Sequence, residues 1–151
     1  MKITDIITRN NIFLDFTSLS KKALFKNIAE KVNKQTDANQ NEILDKLNHR
    51  EKLGSTNLGD GIAIPHAKIN GITKIFSLFI RSKNLIDFST SDKKGVDLIF
   101  VIIAPEDSKT EHLLALSTIS KFLRVEKNIT KLRKLKTSDA IFNLFLKSSV
   151  S

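Results

Sequence analysis

The sequence predicts an α/β fold, a three-layer α/β/α sandwich around a central mixed β-sheet, formed by one domain over residues 1–151. The first observation behind this is the run Asp97–Ala104, rich in β-branched residues and apolar on both faces, as a strand covered by helices on either side must be. The second is that helix-period stripes and strand-like runs share the chain without strict alternation, which calls for a mixed sheet. The third is continuity. No internal repeat and no Pro/Gly/Ser-rich linker divides the 151 residues, and 40% hydrophobic with 27% charged residues suits one packed core.

Taken in order, Ile12–Phe16 is a short strand. A helix opens at Ser20, with Ala23, Leu24, Ile28, Ala29 and Val32 on one apolar stripe and Lys21, Lys22, Lys26, Lys31 and Lys34 on the wet side. Asn39, followed three positions later by Glu42, marks the start of a second helix; Ile43, Leu44 and Leu47 keep helical spacing, and the end falls around Arg50–Lys52. Gly54–Gly61 reads as a loop whose three glycines allow positive φ. Ile62–Ile64 is a brief strand stopped by Pro65, Lys74–Arg81 a longer one, and Asp97–Ala104 the central one, ended by Pro105. Ser108 and Glu111 have capping-box spacing and open a helix carrying Leu113, Leu116, Ile119, Phe122 and Leu123. Two shorter helices follow, over about 127–135 and 138–146.

Composition removes several function classes. The longest apolar run, Leu98–Ala104, is seven residues, against the roughly 20 that a membrane-spanning helix needs. Lys2, Asp5 and Arg9 interrupt the apolar stretch an export signal requires, so a cytoplasmic location is expected. With zero cysteines there is no disulfide, no thiolate metal site and no cysteine nucleophile. A net charge of +9 points toward anionic partners. Lysine outnumbers arginine 20 to 5, however, and no Tyr or Trp is present to stack on bases. The basic cluster over 121–136, comprising Lys121, Arg124, Lys127, Lys131, Arg133, Lys134 and Lys136 against Glu126, is therefore expected to be a solvated or protein-docking face, with nucleic-acid binding ranked below it.

Of the three histidines, His49 lies among Asn48, Arg50 and Glu51 and reads as a surface residue. His66 follows Pro65 and the glycine-rich loop, where stiff backbone leaves its side chain little freedom. Arg50, Ser55, Thr56 and the loop amides supply donors of the kind that hold a phosphate dianion. His112 falls in the first turn of the helix after the central strand, a place where ligands bind in open α/β sheets, so His66 and His112 could meet. Read alone, each has a plainer meaning. A Pro-His pair after a turn is more often a structural corner, and His112 shares a helical face with Leu116, Ile119 and Leu123. No histidine pair has metal-site spacing, so no metal is expected, and no cofactor is implied. The loop lacks the Gly-Lys-Ser/Thr of a Walker A motif, and no Gly-x-Ser-x-Gly elbow occurs.

The continuous stretch from Arg50 through Gly54-Ser55-Thr56-Asn57-Leu58-Gly59-Asp60-Gly61 to Pro65-His66-Ala67-Lys68 resembles the active-site signature of the fructose/mannitol-type IIA domains of the bacterial phosphotransferase system. Among these it is most similar to the stand-alone nitrogen-regulatory branch. Ser20–Leu24 resembles the family's first helix, and Pro105–Leu113 its second active-site segment. The resemblance implies a mixed sheet between helical layers, and a phosphohistidine carrier in which His66 accepts the phosphoryl group. His112 and Arg50 would then stabilise that group, with Ser55 and Thr56 as phosphate-binding donors. It also implies an HPr- or NPr-like donor, and regulatory targets such as a potassium transporter or sensor kinase. The alternatives are a sugar-specific IIA that passes phosphate to a separate IIB and, below that, a nucleic-acid-binding module using the face over 121–136.

Overall fold

The computed structural model describes residues 1–88 and 94–148. Its elements are β1 (Ile12–Phe16), α1 (Lys21–Gln35), α2 (Gln40–Lys52), β2 (Asn57–Gly59), β3 (Ile62–Ala63), β4 (His66–Ile69), β5 (Phe76–Ile86), β6 (Val96–Pro105), α3 (Thr110–Leu123), α4 (Glu126–Lys134) and α5 (Ser138–Ser148). Single 3-10 turns at Ile3–Asp5 and Arg9–Asn11 precede β1. The sheet runs β1-β5-β6-β3-β2, with β4 also paired to β6. β1 is parallel to β5, β5 antiparallel to β6, and β3 and β4 parallel to β6, so the sheet is mixed, as expected.

Alternation along the central strand sorts the core into two halves. Leu98, Phe100, Ile102 and Ala104 join the cluster that takes in α3, α4 and α5; Ile99, Val101 and Ile103 join the one built on α1 and α2. Helices thus cover both faces, and the three-layer expectation holds. Each half is closed by full-length side chains, Phe79, Phe100 and Phe145 on one side and Leu24, Phe25 and Ile28 on the other. Burying a side chain of this size stabilises the fold by about 1.5–3 kcal/mol.

Helix starts follow local chemistry where a side chain reaches its target. Ser20 Oγ accepts from Ala23 N at 3.0 Å, and Asn39 Oδ1 from Glu42 N at 3.1 Å, so α1 and α2 begin where their caps place them. The capping box expected at Ser108 and Glu111 does not form. The chain turns after Pro105, with Ser108 N donating to the Pro105 carbonyl at 3.0 Å, and α3 starts two residues later at Thr110. Ser108 Oγ is left buried, with no hydrogen-bond partner among the described residues.

Three other expectations need correction. The loop over 54–61 contains β2, which folds back antiparallel on β3 as a hairpin. Strand β5 runs on to Ile86 instead of ending at Arg81. Pro65 does not end the pairing: Ile62 sits opposite Leu98 and His66 opposite Ile102, so the register on β6 is unchanged across the proline. Pro65 has no N–H to give, but its carbonyl accepts from Ile102 N at 3.0 Å, which keeps β3 and β4 on one line. His66 is therefore the first residue of a strand, locked to the centre of the sheet.

Candidate active site

Three elements converge on one pocket of about 310 Å³, lined by Lys46, His49, Arg50, Leu53, His66, Ala67, Lys68 and His112. Strand β4 brings His66, the last turn of α2 brings Arg50, and the first turn of α3 brings His112. The His66 and His112 rings lie 5.2 Å apart, centroid to centroid, tilted by 47°. The meeting of the two histidines across 46 residues of sequence is the arrangement the sequence pointed to. His49, read as a surface residue, is exposed at the rim.

Both nitrogens of His66 are engaged. Nδ1 lies 2.8 Å from the Ile64 carbonyl oxygen, which can only accept, so Nδ1 carries the proton. Nε2 then bears the lone pair, and it accepts from Arg50 Nε at 3.0 Å. The arginine is held from its other end by the Gly54 carbonyl, which accepts from Nη1 at 2.8 Å. The residue that fixes the tautomer left no mark in the sequence. A backbone carbonyl is present at every position, and only the fold sets this one 2.8 Å from the ring nitrogen.

Electrostatics keep both rings neutral. Burial pushes the His66 pKa below the ordinary 6.5; the Arg50 charge pushes the same way, while the Ile64 carbonyl and Glu51 oppose. His112 is pushed down to about 4, by burial first and then by His66, Lys68 and Arg50. Its Nε2 is buried with no hydrogen-bond partner among the described residues. The pocket thus holds two neutral imidazoles inside a ring of cations, a setting that favours an incoming anion.

Ser55 and Thr56 do not join this group. Thr56 is 5% exposed, and its hydroxyl donates to Glu51 Oε1 at 2.6 Å while its N–H reaches both carboxylate oxygens, at 3.2 and 3.0 Å. Ser55 Oγ accepts from Asn57 N at 3.1 Å. Glu51, which sequence reasoning passed over, also pairs with Lys21 Nζ at 2.9 Å. Its pKa is held below 4.5 because these partners outweigh the opposing effect of its burial. The carboxylate ties α1, α2 and the start of the glycine loop together one residue from Arg50. Its only sequence signal was a carboxylate beside Arg50 in a buried helical turn.

On the far side, the glycine loop is held by α4. Arg133 grips Asp97 with two bonds, Nε to Oδ2 at 3.2 Å and Nη2 to Oδ1 at 2.9 Å, and also donates to the Asp60 carbonyl. Gly61 passes beneath this pair with φ +79°, and a Cβ there would lie 2.6 Å from both Arg133 Nη2 and Asp97 Oδ1.

The fold is a mixed-sheet α/β/α frame in which a buried, tautomer-fixed histidine faces an arginine and a second histidine. The family model "Phosphoenolpyruvate-dependent sugar phosphotransferase system, EIIA 2" matches residues 5–148, and the chain belongs to that family. It is similar to the nitrogen regulatory protein of Bradyrhizobium diazoefficiens, 38% identical over 95% of this chain and 94% of the relative. It is also similar to the nitrogen regulatory protein homolog of Haemophilus influenzae, 38% identical over 96% of this chain and 91% of the relative. The crystal structure of nitrogen regulatory protein IIA-Ntr from Neisseria meningitidis superposes with a TM-score of 0.88 at 31% identity, covering 95% of this chain and 98% of that one.

Proposed function

We propose that this chain is a phosphohistidine carrier of the phosphotransferase system that accepts a phosphoryl group on His66 Nε2 from an HPr- or NPr-like donor in the cytoplasm and acts as a nitrogen-regulatory IIA protein. The observation that carries the reading is the tautomer: with Nδ1–H donated to the Ile64 carbonyl, the lone pair sits on Nε2, in the pocket shared with Arg50 and His112. Nε2 attacks the phosphorus of the donor's phosphohistidine; one N–P bond forms as the other breaks, and the donor ring, protonated on its far nitrogen, leaves as neutral imidazole. His66 keeps its Nδ1 proton on Ile64, so the positive charge its ring gains is stabilised by a carbonyl dipole.

Arg50 has two positions to serve in this step. In the free protein its Nε–H caps the nucleophile, so the guanidinium must leave the lone pair before attack, and Gly54 provides the fixed end about which it moves. Once off the ring nitrogen, its planar fork matches phosphoryl oxygens. His112, neutral at pH 7, offers the unpartnered Nε2 as a further contact. Ser55 and Thr56 contribute by holding the loop to Glu51. The exposed Leu53, 75% accessible and lining the pocket, supplies an apolar contact on which a carrier protein can seat.

Intact-mass measurement after incubation with phosphoenolpyruvate, enzyme I and an HPr-type carrier tests this. The wild type gains one acid-labile phosphoryl group and His66→Ala gains none; equal labelling of the variant, or no labelling of the wild type with any carrier, overturns the assignment. Offering the phosphorylated chain a panel of IIB domains separates regulation from sugar transport, since rapid discharge to one IIB identifies a transport role.

A further inference from the structure

We propose that the groove between the β2–β3 hairpin, the end of α3 and α4 docks an acidic, leucine-bearing segment of a partner protein, at a place separate from His66. The groove, about 850 Å³, is lined by Leu58, Ile62, Leu123 and Ile129 among polar and charged side chains, with Ile62 and Leu123 nearly buried at its floor and Leu58 and Ile129 more accessible. Leu58 is 56% exposed, an accessible anchor for an apolar side chain. Helix α3 carries the chain from His112 to Arg124 at the groove, about 18 Å at 1.5 Å per residue, so the two sites do not overlap.

Charge selects the occupant. On α4, Glu126, Ile129, Thr130 and Arg133 face the groove, and Lys127, Lys131 and Lys134 form a stripe rotated from them by about 100° along one flank. Asp60 and Glu126 in the groove are balanced by Arg124 and Arg133, and Arg133 is already committed to Asp97. The lysine stripe is surplus. None of Lys121, Lys127, Lys131, Lys134 or Lys136 forms an ion pair with a described residue, and all are exposed. A segment that places apolar side chains on the floor and carboxylates along the stripe satisfies both features. A nucleic acid satisfies only the second, because the floor has no aromatic ring for a base to stack on.

Fluorescence anisotropy on the full chain tests the proposal, using a labelled helical peptide of alternating leucine and glutamate faces, an oligoglutamate of equal length, and single- and double-stranded DNA oligonucleotides. The leucine/glutamate peptide binds with an affinity that falls as salt rises, and more tightly than oligoglutamate. Lys127→Glu/Lys131→Glu/Lys134→Glu weakens it by about tenfold or more, as three lost charge contacts imply. Leu58→Ser, at an exposed site, weakens it with unchanged circular dichroism, and His66→Ala leaves it as in the wild type. Binding that survives the triple variant, DNA binding as tight as peptide binding, or no peptide binding overturns the proposal. None of these results bears on whether His66 accepts phosphate.

Discussion

In the proposed reaction His66 acts through its neutral ring, the form that burial favours. With its pKa below 6.5, the reactive neutral ring already dominates at pH 7. The rate of phosphoryl uptake, followed by quenched-flow and mass analysis, is therefore expected to hold from alkaline pH down to neutrality and to fall through a midpoint below 6.5. A rate that drops already between pH 8 and 7 would contradict the burial argument. His112→Ala is expected to slow uptake roughly 100-fold, the usual effect of removing one stabilising donor, while leaving the far-ultraviolet circular dichroism unchanged. Arg50→Lys keeps the charge but loses both the fork and the Nε–H that rests on His66, so the same assay should show roughly tenfold or greater slowing.

Among the elements, the end of α2 is held by Glu51 and the glycine loop by Arg133. Replacing Glu51 by Gln keeps the shape but removes the charge that accepts from Thr56 and pairs with Lys21. Hydrogen bonds to a charged group are worth about 1.5–3 kcal/mol, and a loss of that order is expected in urea titrations at pH 7. Because folding depresses this carboxyl's pKa, its stabilisation is complete above 4.5 and disappears as pH falls below it, so wild type and variant converge in acid. Gly61→Ala places a Cβ against Arg133 and Asp97 in a left-handed residue. About 1–2 kcal/mol of backbone strain is expected, together with disruption of the ion pair, read as a lowered thermal midpoint.

For the molecule as a whole, the paired histidines give a second window of acid sensitivity. A buried histidine whose pKa is lowered by folding binds its proton in the unfolded chain first, so stability falls as pH drops from 6.5 toward His112's value of about 4. His112→Gln should reduce the dependence of the thermal midpoint across that range, His66 still contributing, and leave in place the loss below 4.5 that belongs to Glu51. Equal slopes in the two proteins would show that the pair does not titrate as the geometry requires.

Much of this architecture was legible before any coordinates. Ser20 and Asn39 cap helices because a side-chain oxygen three residues from an amide reaches it by local geometry alone. The run through Ile99–Ile103 reads as a central strand because only a strand buried on both faces tolerates apolar residues at every position. Arg50, His66 and His112 stand out because the stretches over 50–68 and 105–113 resemble the family's active-site segments; taken alone, each histidine keeps a plainer structural reading. Ser108 failed for the opposite reason: its spacing to Glu111 was right, but the turn after Pro105 carried it out of capping position.

Sequence by itself determined the fold class and the starts of α1 and α2, and its resemblance to a family pointed to the trio of residues in the pocket, since periodicity, caps and motifs are properties of short stretches of chain. Only the tertiary structure decided which nitrogen of His66 is free, that Arg50 rests on it, that Thr56 serves Glu51, and that one strand line continues through Pro65. Those outcomes depend on backbone groups common to every residue and on distances between segments far apart in the chain, and neither is written in residue type.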